Sequence, residues 1–159
     1  MKNARRHLGL SLVEMLVVVG IIALIASVAV TLTLRMTNQA KERDLASIFA
    51  LLKTALQEYR EETGEFPLQA ERESANASSH MQLLYERLMA EPASRQVLTQ
   101  LAGLSSGNDT TGREVGRVLD PWGTVLDYQY GPDDDLPELI SAGPDRQFGT
   151  EDDISSRAG

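Results

Sequence analysis

One stretch constrains this chain more than any other: Arg5 to Leu34, RRHLGLSLVEMLVVVGIIALIASVAVTLTL. A basic head (Lys2, Arg5, Arg6) ends at Gly9, and residues 10–34 then carry one ionisable side chain, Glu14. At about 1.5 Å of rise per residue, roughly 20 apolar helical residues cross a hydrocarbon core. The stretch therefore reads as a membrane anchor, with the rest of the chain hanging from one end of it. An ordinary secretory signal has an apolar region of about 7–15 residues with its cut behind it, and this run is too long for that. A plain signal anchor would explain the basic head through the positive-inside rule. It leaves Glu14 unexplained, because a carboxylate at mid-bilayer costs roughly 2.5–3.5 kcal/mol and calls for a partner.

From Leu10 to about Thr63 there is no proline and a single glycine, Gly20, so a helix can run on past the anchor. After Leu34 the composition turns polar. A 3.6-residue apolar pattern then follows at Leu45, Ile48 or Phe49, Leu52, Leu56 and Tyr59, with charged residues opposite. The spacing predicts one helix of about 54 residues, near 80 Å long, whose far half needs a covering partner. Gly64 is placed to cap it and Pro67 forbids continuation. With 159 residues in all, the remainder suffices for one small domain. The chain divides into residues 1–9, a leader; 10–34, the membrane helix; and 35–159, a head that includes the amphipathic half of the helix.

Beyond the helix, Gln69 to Ser79 is polar and reads as loop. Met81 to Met89 and Ala93 to Leu104 read as short amphipathic helices, and Ser105 to Gly116 as flexible loop. Asp120-Pro121-Trp122-Gly123 is a turn signature, with Trp122 expected to pack into the core. Strand-like alternation follows at Val125, Leu126, Tyr128 and Tyr130, then a turn at Gly131 to Asp135 and a strand at Glu138 to Ser141. The fold class expected is α+β: a long N-terminal helix packed on a small antiparallel sheet.

Composition excludes several functions. There are no cysteines, so disulfides, thiolate chemistry and Cys-based zinc sites are absent. Without Lys2, Arg5 and Arg6, the balance of 15 basic and 23 acidic residues moves from −8 to −11. Such a surface repels nucleic acid and suits cations. His7 in the leader and His80 in a polar loop are the only histidines, and no nucleophile elbow, phosphate loop or zinc helix is recognisable, so an enzyme is not expected.

The acidic stretch SAGPDRQFGTEDDI, Ser141 to Ile154, has two readings. It is either a solvated, frayed end or a loop folded back by Gly143, Pro144 and Gly149, which would bring Asp145, Asp152 and Asp153 together. Three converging carboxylates repel unless a cation lies between them, and calcium takes about 6–8 oxygen ligands on flexible geometry. The spacing is not that of an EF-hand.

Several of these motifs carry a resemblance. GLSLVE at Gly9 to Glu14 resembles the class III signal of type IV pilins and type II secretion pseudopilins, where Gly is usually followed by Phe and Thr-Leu-Ile-Glu; here Leu10 and Ser11 replace Phe and Thr. Gly64-Glu65-Phe66-Pro67 resembles the turn ending the pseudopilin spine helix. D-P-W-G and the SAGPD…GTEDDI tail resemble the calcium loop region of the major pseudopilins of type II secretion. The match covers both ends and not the middle. Two positions depart from the pattern: Thr31 where a proline is common, and Arg146 where the residue after Asp145 is commonly Gly.

The resemblance implies a type IV pilin-like fold and a filament-forming structural subunit. It implies cleavage after Gly9 by a prepilin peptidase and N-methylation of Leu10. Glu14 would then pair with the new terminal amine of a neighbouring copy, a specificity device built on electrostatic register. It also implies calcium held by Asp145, Asp152 and Asp153 with the carbonyls of Ala142 and Phe148. The implied partners are further copies of the chain, minor pseudopilins and an inner-membrane assembly platform, with the head in the periplasm. The alternative on the same spine is a minor type IV pilin or competence-type pseudopilin, acting as a binding module at a filament tip.

Overall fold

The computed structural model describes residues 12–69, 71–104 and 116–157, with side chains except at 28–36 and 102–104. The chain divides into two compact units, residues 1–39 and 40–159. One helix, α1 (Leu12–Thr63), contributes to both. In the first unit the apolar side chains of α1 are exposed, among them Leu12, Leu16, Ile22 and Leu24. Among the described residues no helix is long and apolar enough to cross a membrane. The predicted segment 10–34 lies only partly among the residues described with their side chains.

The second unit is built on the amphipathic part of α1. Leu45, Ile48, Phe49, Leu52, Ala55 and Leu56 recur at three- and four-residue spacing and are all buried. Both Ile48 and Phe49 lie in the core, and Tyr59 packs against it half-buried. The helix ends as expected. Gly64 takes φ +91°, a left-handed conformation that disfavours any residue with a Cβ, and its N–H donates to the Arg60 carbonyl at 2.8 Å. The charged face makes contacts of its own. Lys53 Nζ donates to the Ser156 carbonyl at 2.6 Å, Lys41 lies over the Trp122 ring, and Arg60 lies over Phe66.

After α1 come a short 3-10 turn (Ser74–Asn76), α2 (Ala77–Ala90) and α3 (Pro92–Leu104). The predicted loop at Gln69–Ser79 is therefore corrected. Gln69 bridges Tyr130 in antiparallel fashion, and α2 begins one turn before the expected Met81. The reason is Ala77 and His80, which share the buried face of Met81, Leu84 and Leu88, although neither registers as a large apolar side chain. Ser94 and Arg95 satisfy the carbonyls at the end of α2: Ser94 Oγ donates to the Leu88 carbonyl at 2.6 Å, and Arg95 Nε to the Met89 carbonyl at 2.7 Å. The expected loop Ser105–Gly116 lies outside the described residues except for Gly116.

Three strands follow: β1 (Asp127–Gln129), β2 (Glu138–Ser141) and β3 (Ile154–Ser155), antiparallel in the order β1-β2-β3. Tyr128 pairs with Leu139, and Ile140 with Ser155. Leu126, Tyr128 and Leu139 join the α1 side chains in one core, with Trp122 buried beside them as expected. Tyr128 is enclosed to the ring oxygen, which donates to the Pro67 carbonyl at 2.7 Å; burial pushes its phenol far above the ordinary range. Strand β3 is the element that sequence reading missed. It is two residues long and directly follows the acidic run, so alternation has no room to show. The result is the expected α+β arrangement, a long helix with a small antiparallel sheet.

Candidate functional site

Two turns frame the acidic loop. In the first, Asp120 Oδ1 accepts the amides of Trp122 (3.0 Å) and Thr124 (2.8 Å), and Gly123 takes φ +93°. An aspartate closing its own turn in this way is what D-P-W-G predisposes. The other oxygen of Asp120 accepts the hydroxyl of Ser141 at 2.6 Å, and the Ser141 hydroxyl oxygen in turn accepts the Gly143 amide at 3.1 Å. Asp120 and Ser141 are both buried.

The loop then returns on itself. Gly143 has φ +62°, and a Cβ added there would overlap the Asp152 carbonyl oxygen, so the two backbones meet where the loop closes. The Asp145 amide donates to Asp152 Oδ2 at 3.0 Å, and the Thr150 hydroxyl donates to Asp152 Oδ1 at 2.6 Å. The Thr150 hydroxyl, then the Asp145 amide, hold the Asp152 carboxyl below its usual value, so it is ionised at neutral pH. Asp145 Oδ1 accepts the Gln147 amide at 2.8 Å, and Asp153 Oδ2 accepts the Gly149 amide at 2.7 Å. Asp153 Oδ1 is buried with no hydrogen-bond partner.

The predicted ligand residues thus occupy one folded loop, and the frayed-end reading does not describe it. Ala142 is fully buried at its start. Phe148 is half-buried and lines an open cleft of about 400 Å³ with Ser74, Ala77 and Val125. The carboxylates are each engaged by backbone or hydroxyl donors, and among the described residues no three His, Cys, Asp or Glu side chains stand close enough to hold a metal. Arg146 takes φ +63°, the one described non-glycine residue with positive φ, and its side chain is exposed. A left-handed position of this kind favours glycine.

A second polar cluster went unread in the sequence. His80 is buried in α2, not in a loop, and its Nδ1 lies 2.7 Å from Asp127 Oδ1 on β1. Ser74 Oγ donates to Asp127 Oδ2 at 2.8 Å and Gln129 Nε2 to the same oxygen at 2.9 Å. Serine, histidine and aspartate are the residue types of a hydrolase triad, but there the imidazole must stand between hydroxyl and acid. Here the acid stands between, and the imidazole meets the acid and not the Ser74 hydroxyl. The cluster ties α2 to β1. Nothing in a lone histidine within ASSHMQLL announces it.

At the other end of the chain, Glu14 lies in the first turn of α1 with its side chain exposed. Gly9 and Leu10 fall outside the described residues.

No family model matches this chain. Among curated proteins it is 26% identical over 156 residues to the type II secretion system core protein G of Escherichia coli (strain K12), covering 98% of this chain and 94% of that protein. The resemblance runs the whole length. It bears out the similarity to the type II secretion major pseudopilins and extends it through the middle segment, where no motif could be read. Among solved structures the chain is similar to the major pseudopilin from the type 2 secretion system of enterohaemorrhagic Escherichia coli. That match has a TM-score of 0.45 and 20% identity, covering 77% of this chain and 88% of the other.

Proposed function

We propose that this chain is a structural subunit of a type II secretion pseudopilus, and not an enzyme. The observation that carries the reading is the alignment to a core protein G over 98% of the chain, from the anchor region to the acidic loop. The leader is removed after Gly9 by a prepilin peptidase and Leu10 becomes the methylated N-terminus. Residues 10–34 anchor the subunit in the inner membrane, and the head lies in the periplasm. Copies then assemble through their N-terminal helices, with Glu14 of one paired to the terminal amine of another. Minor pseudopilins and the inner-membrane platform are the further partners. Support comes from the exposed apolar surface of Leu12 to Ile25 around Glu14, which a lone subunit leaves uncovered.

The same reading assigns calcium to the acidic loop, with oxygen from Asp145, Asp152, Asp153 and the carbonyls of Ala142 and Phe148, and binding would have to draw the three carboxylates closer together than they stand in the structure described above. The donor set is all oxygen and suits a hard cation. The buried, unpartnered Asp153 Oδ1 fits such a role, because an orphaned carboxylate oxygen is costly without a counter-charge. When bound, calcium would neutralise the loop and stabilise the folded head in proportion to its occupancy.

Filament formation tests the proposal. Co-expressed with a matching secretion system, the wild-type chain assembles into filaments visible by electron microscopy, while Glu14→Leu is processed yet fails to assemble. Equal assembly by the variant would overturn the role given to Glu14.

A further inference from the structure

The two ring nitrogens of His80, a buried residue of α2, meet different surroundings. Nδ1 lies 2.7 Å from Oδ1 of Asp127, a fully buried carboxylate on β1. Ser74 Oγ and Gln129 Nε2 donate to the other oxygen of that carboxylate. With Asp127 accepting throughout, the hydrogen-bond network assigns a ring hydrogen to Nδ1. Nε2 is also buried and has no hydrogen-bond partner. What faces it is Glu71 Oε2 at 3.8 Å, from the segment ahead of the 3-10 turn. In a neutral ring Nε2 is a bare acceptor, so acceptor confronts acceptor. A second proton turns Nε2 into a donor and gives the ring a charge opposite to that of Glu71.

The elements packed around the ring leave this pairing uncontested. On α2 itself, Asn76 to Leu84 carry no charge, and β1 carries only Asp127. The one charged side chain of α3, Arg95, donates to the Met89 and Ala90 carbonyls at the far end of α2. Beside the 3-10 turn, Arg72 pairs with Asp134, and Glu73 is exposed. The Glu71 side chain is 54% exposed, so it has room to move. Its other oxygen accepts from Asn76 Nδ2, which joins the two ends of residues 71–76.

We propose that His80 and Glu71 form a proton-operated latch: a second proton on His80 draws Glu71 onto Nε2 and clamps residues 71–76 against α2 and β1. One proton is taken from water, and the Nε2–H bond is the only covalent bond formed. Histidine is the side chain that ordinarily changes charge between about pH 5 and 8. A contact made only by the charged ring adds stability as pH falls and is lost as pH rises. The clamped segment supplies Ser74 and Ala75 to the wall of the cleft beside Phe148, so the latch sets that wall. It is a property of the head and requires neither the filament nor the calcium reading.

The test uses the full chain in detergent micelles with His7→Ala, which leaves His80 the sole histidine. This protein is compared with the same chain carrying Glu71→Gln, which keeps an acceptor for Asn76 and removes the charge. Thermal unfolding is followed from pH 8 to pH 5.5, with ring-nitrogen NMR and amide hydrogen exchange of residues 71–76. At pH 8 the two proteins should melt together, and at pH 5.5 the Glu71 protein should melt about 2 °C or more above its variant. Over the same range the ring should gain a hydrogen on Nε2, and residues 71–76 should become better protected only where Glu71 is present. Parallel melting curves would overturn the latch, as would a ring that keeps a single hydrogen down to pH 5.5. Equal protection of residues 71–76 in the two proteins at pH 5.5 would overturn the clamping of the segment.

Discussion

Ser141 Oγ donates to Asp120 Oδ2 at 2.6 Å, and this single buried bond joins the D-P-W-G turn to the acidic loop. Asp120→Ala would strip the turn of its acceptor and leave the Trp122 and Thr124 amides and the Ser141 hydroxyl unpaired. Orphaned buried donors cost roughly 1–3 kcal/mol each with partial relief by water, so a loss of about 3 kcal/mol is expected. Denaturant unfolding followed by Trp122 fluorescence measures it. A loss under about 1 kcal/mol would show that the turn holds without its aspartate.

Two of the loop's three left-handed positions, Gly143 and Arg146, carry opposite expectations; the third is Gly149. Gly143→Ala puts a Cβ into the Asp152 carbonyl oxygen at φ +62°, and should destabilise the head by about 2 kcal/mol or more. Arg146→Gly relieves a left-handed residue and should stabilise it by up to about 1 kcal/mol. Thermal unfolding of the two variants beside wild type checks both signs. A stabilised Gly143→Ala protein would contradict the closed loop.

His80 and Asp127 form a buried pair between α2 and β1. Removing one partner of a buried hydrogen bond leaves the other short of a partner and costs roughly 1–3 kcal/mol, whereas replacing both sides with apolar residues is milder. His80→Leu should therefore be destabilised, and His80→Leu with Asp127→Leu should recover much of the loss. Additive losses in the double-mutant cycle would mean that the two residues act independently.

Asp134 supplies a pH dependence. The Gly131 amide, aided by Arg72 and Arg157, holds its carboxyl below the ordinary value. A lowered folded-state pKa contributes stability that is fully present above the unfolded value, near 3.9, and is lost as pH falls through the lower folded value. Wild-type stability should thus fall more steeply than that of Asp134→Asn as pH drops below about 4. Parallel curves for the two proteins would remove this group from the acid transition.

Much of this architecture was legible because it rests on local rules. The buried stripe at Leu45, Phe49, Leu52 and Leu56, the Gly64 cap, the D-P-W-G turn and the strand at Glu138–Ser141 each follow from periodicity or turn chemistry. What escaped depends on contacts distant in sequence. The early start of α2 hinges on His80, whose burial is made tolerable by Asp127, 47 residues away. Strand β3 exists because Leu139 exchanges bonds with Ser156, whose amide donates to the Leu139 carbonyl at 2.8 Å. In the loop, the acidic residues were readable as a set, but the Asp120–Ser141 relay that frames them was not, since a buried serine has no pattern of its own. An aspartate heading a turn was the available signal, and it explains only one of that carboxylate's two oxygens.

Processing of the chain as a pseudopilus subunit is tested most directly by the mass of the mature protein. Co-expressed with a prepilin peptidase and analysed intact, with N-terminal fragmentation, the protein should begin at Leu10 and carry a methyl group on its terminal amine. Retention of Met1 to Gly9 in the presence of an active peptidase, or a cut behind the apolar segment, would contradict it.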